Sequence, residues 1–190
     1  MEIPLKIKVT GKRALLMNNP ASMQRSDGNI KRKKIPTPDE ESESKAYRMP
    51  DGQLYVKTEA IHGALLKACS GYKVGKLSAK PIIAAGINYY SEYCPLIDPD
   101  TGKPISTFEI DIRRAVVQGQ GVLRARPKIN KWSFYLEMTY DNELFSSPKI
   151  IIDMLTEAGR RVGIGDQRPG APKTPGPFGT FLIEVCENGK

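Results

Sequence analysis

Apolar and polar residues alternate at the start of the chain, in the segment "MEIPLKIKVTGK". Ile3, Leu5, Ile7 and Val9 occupy every second position, and charged or polar residues lie between them. A period of two residues is typical of a β-strand that buries one face. The pattern therefore predicts that the fold begins with a strand.

The segment "TEAIHGALLKACSG" has the period of an amphipathic helix. Ile61, Ala64 and Leu65 fall on one helical face, and spacings of three and four residues indicate a helix that packs on a core. Thr58 is suited to cap its first turn and Gly71 to end it. We predict a helix between these two residues.

A second helix is predicted in "SSPKIIIDMLTEAGRRVGIG". A serine before Pro148 can cap it, because proline is favoured in the first turn of a helix. Ile151, Ile152 and Leu155 begin an apolar stripe, and one of the glycines at 159 and 163 ends the helix.

Three further segments are strand-like, and their order predicts the fold. They are Glu109–Gly119, Trp132–Asp141 and the final "FGTFLIEVCE", and a basic, glycine-rich connection, "GQGVLRARPKINK", separates the first two. Strand, helix, strand, strand, helix, strand is the ferredoxin-like or RRM-like βαββαβ arrangement of the α+β class. One face of its sheet is covered by the two helices, and the other is open to a ligand or another subunit.

Two insertions interrupt the predicted core. A polar insertion at about residues 18–50 follows the first strand and carries a basic run, Lys31 to Lys34, and an acidic run, Asp39 to Glu43. We interpret the acidic run as solvated. Residues 73–108 form an irregular insertion after the first helix. The length of 190 residues predicts a single domain that spans 1–190.

Composition favours a polyanionic partner. The chain has 29 Lys and Arg against 21 Asp and Glu, a formal net charge of +8, which is typical of proteins that bind nucleic acid. Three widely spaced cysteines predict a reduced, cytoplasmic protein with no metal site. No apolar run is long enough to span a membrane, so no membrane partner is expected.

Motifs for cofactors and for catalysis are incomplete. "GIGDQR" has Arg168 where a dinucleotide-binding loop needs its third glycine, and it follows a helix instead of a strand. No cofactor is therefore expected. His62 is the single histidine, and we interpret it as an ordinary packed or surface residue. Asp27, in a polar turn, is the one catalytic candidate, for metal-assisted strand cleavage.

Basic residues in three distant parts of the chain form the predicted binding surface. Loops and strand ends place such cations where they can meet phosphates, and glycine amides can add an anion-binding nest. Ordinary solubility charge explains such clusters equally well. The predicted nucleic-acid-binding residues are Lys31, Arg32, Lys33, Lys34, Arg124, Arg126, Lys128, Lys131, Arg160, Arg161, Gly163, Gly165, Arg168 and Lys173.

Both ends of the chain resemble the RAMP superfamily of CRISPR-associated proteins. The opening strand "KIKVTGKRALLMN" is followed after a long insertion by "VKTEAIHGALLKA", which keeps Ile61, Gly63 and Leu65 of the superfamily's helix-start motif. Lys57 and Leu66 replace its proline and arginine. The ending "GIGDQRPGAPKTPGPFGTFLIEV" is similar to the glycine-rich loop before the superfamily's last strand, and to solitary phage or prophage relatives.

The resemblance implies an RRM-like subunit that binds single-stranded RNA or DNA without catalysis. Such subunits line up along a guide RNA, so a homo-oligomer or filament, with other effector-complex subunits, is expected. The first insertion would be the finger-like or thumb-like elaboration. Two alternatives stay open: a metal-dependent nuclease subunit that uses Asp27, and a phage structural or interaction module.

Overall fold

The computed structural model describes residues 1–23, 36–117 and 119–186. Within these ranges the strands are β1 (Glu2–Gly11), β2 (Leu15–Leu16), β3 (Tyr55–Lys57), β4 (Lys73–Val74), β5 (Leu77–Ser78), β6 (Ile87–Tyr89), β7 (Tyr93–Pro95), β8 (Glu109–Val117), β9 (Gln120–Ile129), β10 (Ser133–Asp141) and β11 (Phe181–Val185). The helices are α1 (Pro38–Lys45), α2 (Thr58–Ala68), α3 (Ala79–Gly86) and α4 (Lys149–Glu157), and a π-helical turn, Ala158–Val162, continues α4.

Four antiparallel strands form the central sheet, in the order β11-β1-β10-β6. The predicted alternation in β1 is confirmed, because Leu5, Ile7 and Val9 are buried. α2 lies between β1 and β6 in the chain, and α4 lies between β10 and β11. The mixed α+β class and the ferredoxin-like βαββαβ core are therefore confirmed.

The second strand of this core is not the predicted one. Glu109–Gly119 contains a strand, β8, but β8 pairs with β9 and lies outside the central sheet. The core position belongs to β6, which pairs with β10 from inside the segment 73–108 that was predicted to be irregular. β6 has three residues, too few to show an alternating pattern, so the sequence favours the longer β8 in its place.

A second sheet, in the order β2-β9-β8, stands beside the core. β8 and β9 form a long hairpin, paired from Glu109 opposite Lys128 to Val117 opposite Gln120. The basic segment predicted to be a connection is therefore a strand, β9. β2 pairs with the base of the hairpin, where Leu15 lies opposite Ile129. The hairpin is thus attached directly to the chain segment that follows β1.

The helices pack as predicted but are capped differently. Ile61, Ala64 and Leu65 of α2 are buried, which confirms the apolar face. The N-cap residue of α2 is Lys57, and the Thr58 hydroxyl instead donates to the Ser91 carbonyl at 2.7 Å. The predicted threonine cap is therefore wrong.

The second predicted helix also starts without a serine cap. The N-cap of α4 is Pro148, and no side chain caps the helix. The predicted serine cap is therefore wrong as well. Of the two glycines proposed as its end, Gly163 lies at the C-cap of the π-helical turn, with φ of +68°.

The acidic run is solvated, as interpreted, at three of its four carboxylates, and Glu41 is the exception. It forms α1, which begins with a capping box between Thr37 and Glu40. Glu41 accepts from the Ala125 amide at 3.0 Å and from Lys45 Nζ at 2.6 Å. Lys45 Nζ in turn donates to the Ala125 carbonyl at 2.9 Å. α1 is therefore tied to the hairpin strand β9.

Candidate nucleic-acid interface

The glycine-rich segment 163–179 is a folded loop between the π-helical turn and β11. The Ile164 amide donates to the Gly179 carbonyl at 2.9 Å, and the Gly179 amide donates to the Ala14 carbonyl at 2.8 Å. Gly179 has φ of +66°, and a Cβ there would lie 1.8 Å from the Ile164 carbonyl oxygen. Only glycine permits this closure of the loop.

The loop is also fixed to β2. The Asp166 amide donates to the Leu16 carbonyl at 2.9 Å. A Cβ at Gly165, where φ is +79°, would lie 2.5 Å from the same carbonyl oxygen. Because β2 pairs with β9, the loop, β2 and the hairpin form one connected unit.

Charged side chains are ordered around this junction. Arg126 Nε donates to Asp166 Oδ2 at 2.5 Å, and both side chains are mostly buried. Arg126 Nη1 is buried and has no hydrogen-bond partner among the described residues. Arg168 Nη1 donates to the Gly165 carbonyl at 2.8 Å. A guanidinium has five N–H donors, so this bond orients Arg168 and leaves it able to bind an anion.

A cleft of about 470 Å³, which we call the loop cleft, opens between β2, α2 and the glycine-rich loop. Its charged lining residues are Lys57, Glu59, Lys67, Asp166 and Arg168. Three cations thus face two carboxylates, and Asp166 is already paired with Arg126. The loop cleft therefore attracts anions.

The start of α2 also borders the loop cleft; its Thr58 amide donates to the Glu92 carbonyl at 2.9 Å, and its first turn carries Glu59. Lys57 is its N-cap residue and is exposed, and no side chain caps the helix. The amides in the first turn of a helix carry a partial positive charge that favours a bound anion. Lys57 Nζ lies 6.0 Å from the ring centroid of Tyr47, which also lines the cleft. A phosphate near the start of α2 would meet Lys57 and the first-turn amides that follow Thr58.

The first predicted cluster of cations is not placed by the structure. Lys31, Arg32, Lys33 and Lys34 lie outside the described residues, and so does Asp27. Their contact with nucleic acid, and a catalytic role for Asp27, stay predictions.

The second cluster is paired with carboxylates. The pairs are Arg124 with Glu41, Arg126 with Asp166, Lys128 with Glu109 and Lys131 with Asp100. Lys128 and Lys131 line a separate depression beside residues 103–109. Only Arg126 lies next to the loop cleft, through Asp166. Arg124, Arg126 and Lys128 occupy alternate positions of β9 and therefore lie on one face of the hairpin. Each of them is already paired with a carboxylate there, and Lys131 lies beyond the end of the strand.

The third cluster is divided as well. Arg160 and Arg161 pair with Glu157 at 2.8 and 2.6 Å, and neither residue lines the loop cleft. Lys173 is exposed on the loop, away from the residues that line the cleft. Gly165 and Arg168 do line it.

The predicted anion nest is incomplete. The Gly163 amide donates to the Ala158 carbonyl at 2.8 Å, so one of the two amides assigned to the nest is already bonded. Gly163 instead ends the π-helical turn in a backbone conformation with positive φ. The Gly165 backbone lies at the cleft wall.

Sequence reasoning missed four lining residues: Lys57, Lys67, Tyr47 and Tyr55. Lys57 was noted only as a departure from the RAMP motif. A signal was present, because "KAYRMPDGQLYVK" places two tyrosines among cations, a composition that is typical of single-strand binding surfaces.

The open face of the central sheet is a poor site for stacking bases. Tyr135 is the one aromatic side chain that the described residues of β1, β10 and β11 place on it, and Lys6 Nζ lies 5.0 Å from its ring centroid. Lys6 also pairs with Glu137 at 2.7 Å. RNA-binding sheets of this fold use several aromatic residues. The loop cleft is therefore the better candidate interface.

The fold and this cleft define a ferredoxin-like domain with a glycine-rich loop before its last strand. No protein-family model matches the chain, and no curated protein matches it. Among solved structures, it is similar to a chain of the "Cryo-EM structure of the Type III-B Cmr-beta bound to cognate target RNA", with a TM-score of 0.57 and 15% identity. The match covers 97% of this chain and 59% of that chain.

At this identity the similarity shows the fold. The chain spans 59% of the length of the chain it matches. Among the described helices, none has the length and apolar character needed to cross a membrane.

Proposed function

We propose that this protein binds single-stranded RNA in the loop cleft, as a RAMP-like subunit of an RNA-guided effector assembly. The observation that carries the proposal is the convergence of Lys57, the start of α2, and Arg168 on the glycine-rich loop around one cleft. Each of these features favours a phosphate, because phosphates bind to helix N-termini and to guanidinium groups.

Two further observations support the assembly. The motifs at both ends resemble the RAMP superfamily, and the matched solved structure is described as a Cmr complex bound to target RNA. In the proposal, several copies bind side by side along one strand together with other subunits. Single-stranded DNA is the competing ligand, because a surface that recognises phosphates does not by itself distinguish the two.

Charge reversal at Arg168 tests the site. Arg168→Glu replaces a cation of the loop cleft by a carboxylate, whereas Arg160→Glu makes the same change outside the cleft, where the arginine pairs with Glu157. We expect Arg168→Glu to weaken binding of a labelled 30-nucleotide RNA at least about tenfold, which corresponds to ~1.4 kcal/mol. Arg160→Glu should weaken it only slightly. Fluorescence anisotropy at fixed salt measures both, and equal losses would remove the loop cleft from the interface.

Experiments with labelled strands also distinguish the proposal from the two alternatives. A nuclease that uses Asp27 would cut labelled RNA or single-stranded DNA when magnesium or manganese is added, and Asp27→Asn would abolish the products. A protein-interaction module would bind neither strand, even at low salt. RNA binding without metal-dependent products supports the proposal over both.

A further inference from the structure

A second cleft, of about 570 Å³, lies on the other side of Lys57. We call it the tyrosine cleft, because Tyr89, Tyr90 and Tyr93 line it. It shares two lining residues, Lys57 and Glu59, with the loop cleft. The two clefts therefore meet at the start of α2.

A row of tyrosine rings runs from one cleft to the other. Tyr47 and Tyr55, in the wall of the loop cleft, have ring centroids 5.6 Å apart. Tyr55 and Tyr93 meet edge to face with centroids 4.8 Å apart. Tyr93 is 43% exposed and Tyr90 is 64% exposed. Exposed aromatic rings beside a phosphate-binding surface are suited to stacking bases.

The position of Tyr93 is fixed by the backbone around it. Tyr93 lies opposite Lys57 where β7 pairs with β3. The Tyr93 amide donates to Ser91 Oγ at 3.1 Å, and that hydroxyl donates back to the Tyr93 carbonyl at 2.9 Å. These bonds fix the backbone of Tyr93, and its ring contacts Tyr55 edge to face. Such a ring loses less conformational entropy when a ligand stacks on it than a ring without contacts does.

The charge of the tyrosine cleft differs from that of the loop cleft. Its ionised lining residues are Lys57, Glu59 and Glu92. His62, in its wall, has its Nδ1 3.1 Å from the Tyr89 hydroxyl, and burial lowers the pKa of His62, so the ring is neutral at pH 7. Two carboxylates against one ammonium repel a phosphate, and carboxylates accept hydrogen bonds from amino groups.

We propose that the tyrosine cleft binds an unpaired nucleobase of the strand whose phosphates lie in the loop cleft. This inference rests on the proposed function. The base stacks on Tyr93 and Tyr90, and an exocyclic amino group, as in cytosine or adenine, donates to Glu59 or Glu92. Phosphate and base recognition are thus divided between two clefts that share Lys57.

The test combines substitutions in the protein with removal of bases from the ligand. Wild type, Tyr93→Ala, Tyr90→Ala and Tyr93→Phe are measured against a cytidine strand and against an abasic strand of equal length. Tyr72→Ala is the control, because Tyr72 is comparably exposed at 41% and does not line the tyrosine cleft. A full-length chain is used throughout, and unfolding curves confirm that each variant folds.

We expect Tyr93→Ala to weaken binding of the cytidine strand roughly fivefold or more, the amount that loss of one stacked base produces. Tyr93→Phe, which keeps the ring, should bind like wild type. On the abasic strand Tyr93→Ala and wild type should bind equally, because there is no base to stack. Tyr72→Ala should bind like wild type on both strands.

The outcomes separate the two proposals. If Tyr93→Ala and Tyr90→Ala bind the cytidine strand like wild type while Arg168→Glu does not, the tyrosine cleft is excluded and the loop cleft stands. If Tyr93→Ala weakens both strands equally, the ring has no role in base binding and the inference is wrong. If wild type binds neither strand at low salt, the proposed function itself fails.

Discussion

Gly179 is the residue on which the closure of the glycine-rich loop depends most directly. Its Cβ would lie 1.8 Å from a backbone oxygen, whereas a Cβ at Gly102, whose φ of +71° is similar, would meet nothing within 4 Å. We expect Gly102→Ala to lower the free energy of unfolding by about 1 kcal/mol, the cost of the backbone conformation alone. Gly179→Ala should lower it by at least about 3 kcal/mol, because the clash is added. Urea unfolding measures both, and similar values would mean that the loop relaxes around the new methyl group.

The single histidine offers a spectroscopic check on the wall of the tyrosine cleft. Burial lowers the pKa of His62 below its ordinary value of 6.5. Because the unfolded chain then binds the proton more tightly, protonation of His62 favours unfolding. The fold is therefore more stable above pH 6.5, and its stability decreases as the pH falls from 6.5 through the lowered pKa of the folded state. Proton NMR of the one imidazole should give a midpoint below 6.5. A midpoint at or above 6.5 would place His62 in solvent.

Only some residues of the loop cleft could be predicted from the sequence. Arg168 and Gly165 were predicted because they lie in a recognisable glycine-rich loop. Arg160 and Lys131 were predicted for their positive charge, but they pair with Glu157 and Asp100. A sequence shows which residues carry charge, and only the tertiary structure shows which charges have partners.

At the scale of elements, we can test whether the contact between α1 and β9 stabilises the hairpin. Burial alone would raise the pKa of Glu41, but the Ala125 amide and the Lys45 ammonium outweigh it, and the pKa is lowered. We expect Glu41→Gln to destabilise the protein by about 1 to 2 kcal/mol. Asp39→Asn removes the same charge from the first turn of α1, at an exposed position, and should cost less.

Hydrogen exchange locates the effect of this substitution. In Glu41→Gln the amides of β9 around Ala125 should exchange faster, while those of β1 stay protected. Because the folded pKa of Glu41 is lowered, its contribution is present above its ordinary pKa of 4.5 and is lost as the pH falls through the folded value. Unchanged exchange in β9 would show that the hairpin does not depend on α1.

Elements with long periodic patterns were predictable, and short or highly charged ones were not. β1, α2, α4 and β11 each show several apolar residues at a regular spacing. β6 has only three residues. β9 alternates arginine and lysine with small or apolar residues, and its high charge indicates a basic connection instead of a strand. Its buried side, which includes Ala125 and Ile129, is recognisable only once β2 and α1 are in place.

At the scale of the whole molecule, the net charge of +8 is distributed unevenly. Many cations are neutralised by nearby carboxylates, and the loop cleft keeps an excess of positive charge. The βαββαβ order of the core was predictable from the sequence, except that β6 was not recognised as its second strand. The position of the loop cleft was not predictable. It is formed by β2, α2 and the loop before β11, which are distant in the chain.

The salt dependence of binding tests whether the loop cleft contacts phosphates. Each phosphate contact on a single strand contributes about 0.7 to the slope of log affinity against log salt. Lys57→Gln and Arg168→Gln should each reduce the slope by about that amount, because each removes one cation from the cleft. Lys131→Gln removes a cation that pairs with Asp100 outside the cleft and should leave the slope unchanged. Titrations of a 30-nucleotide RNA from low to moderate salt give the slopes. If Lys131→Gln reduces the slope as much as Arg168→Gln does, the strand is bound by diffuse surface charge and not by the loop cleft.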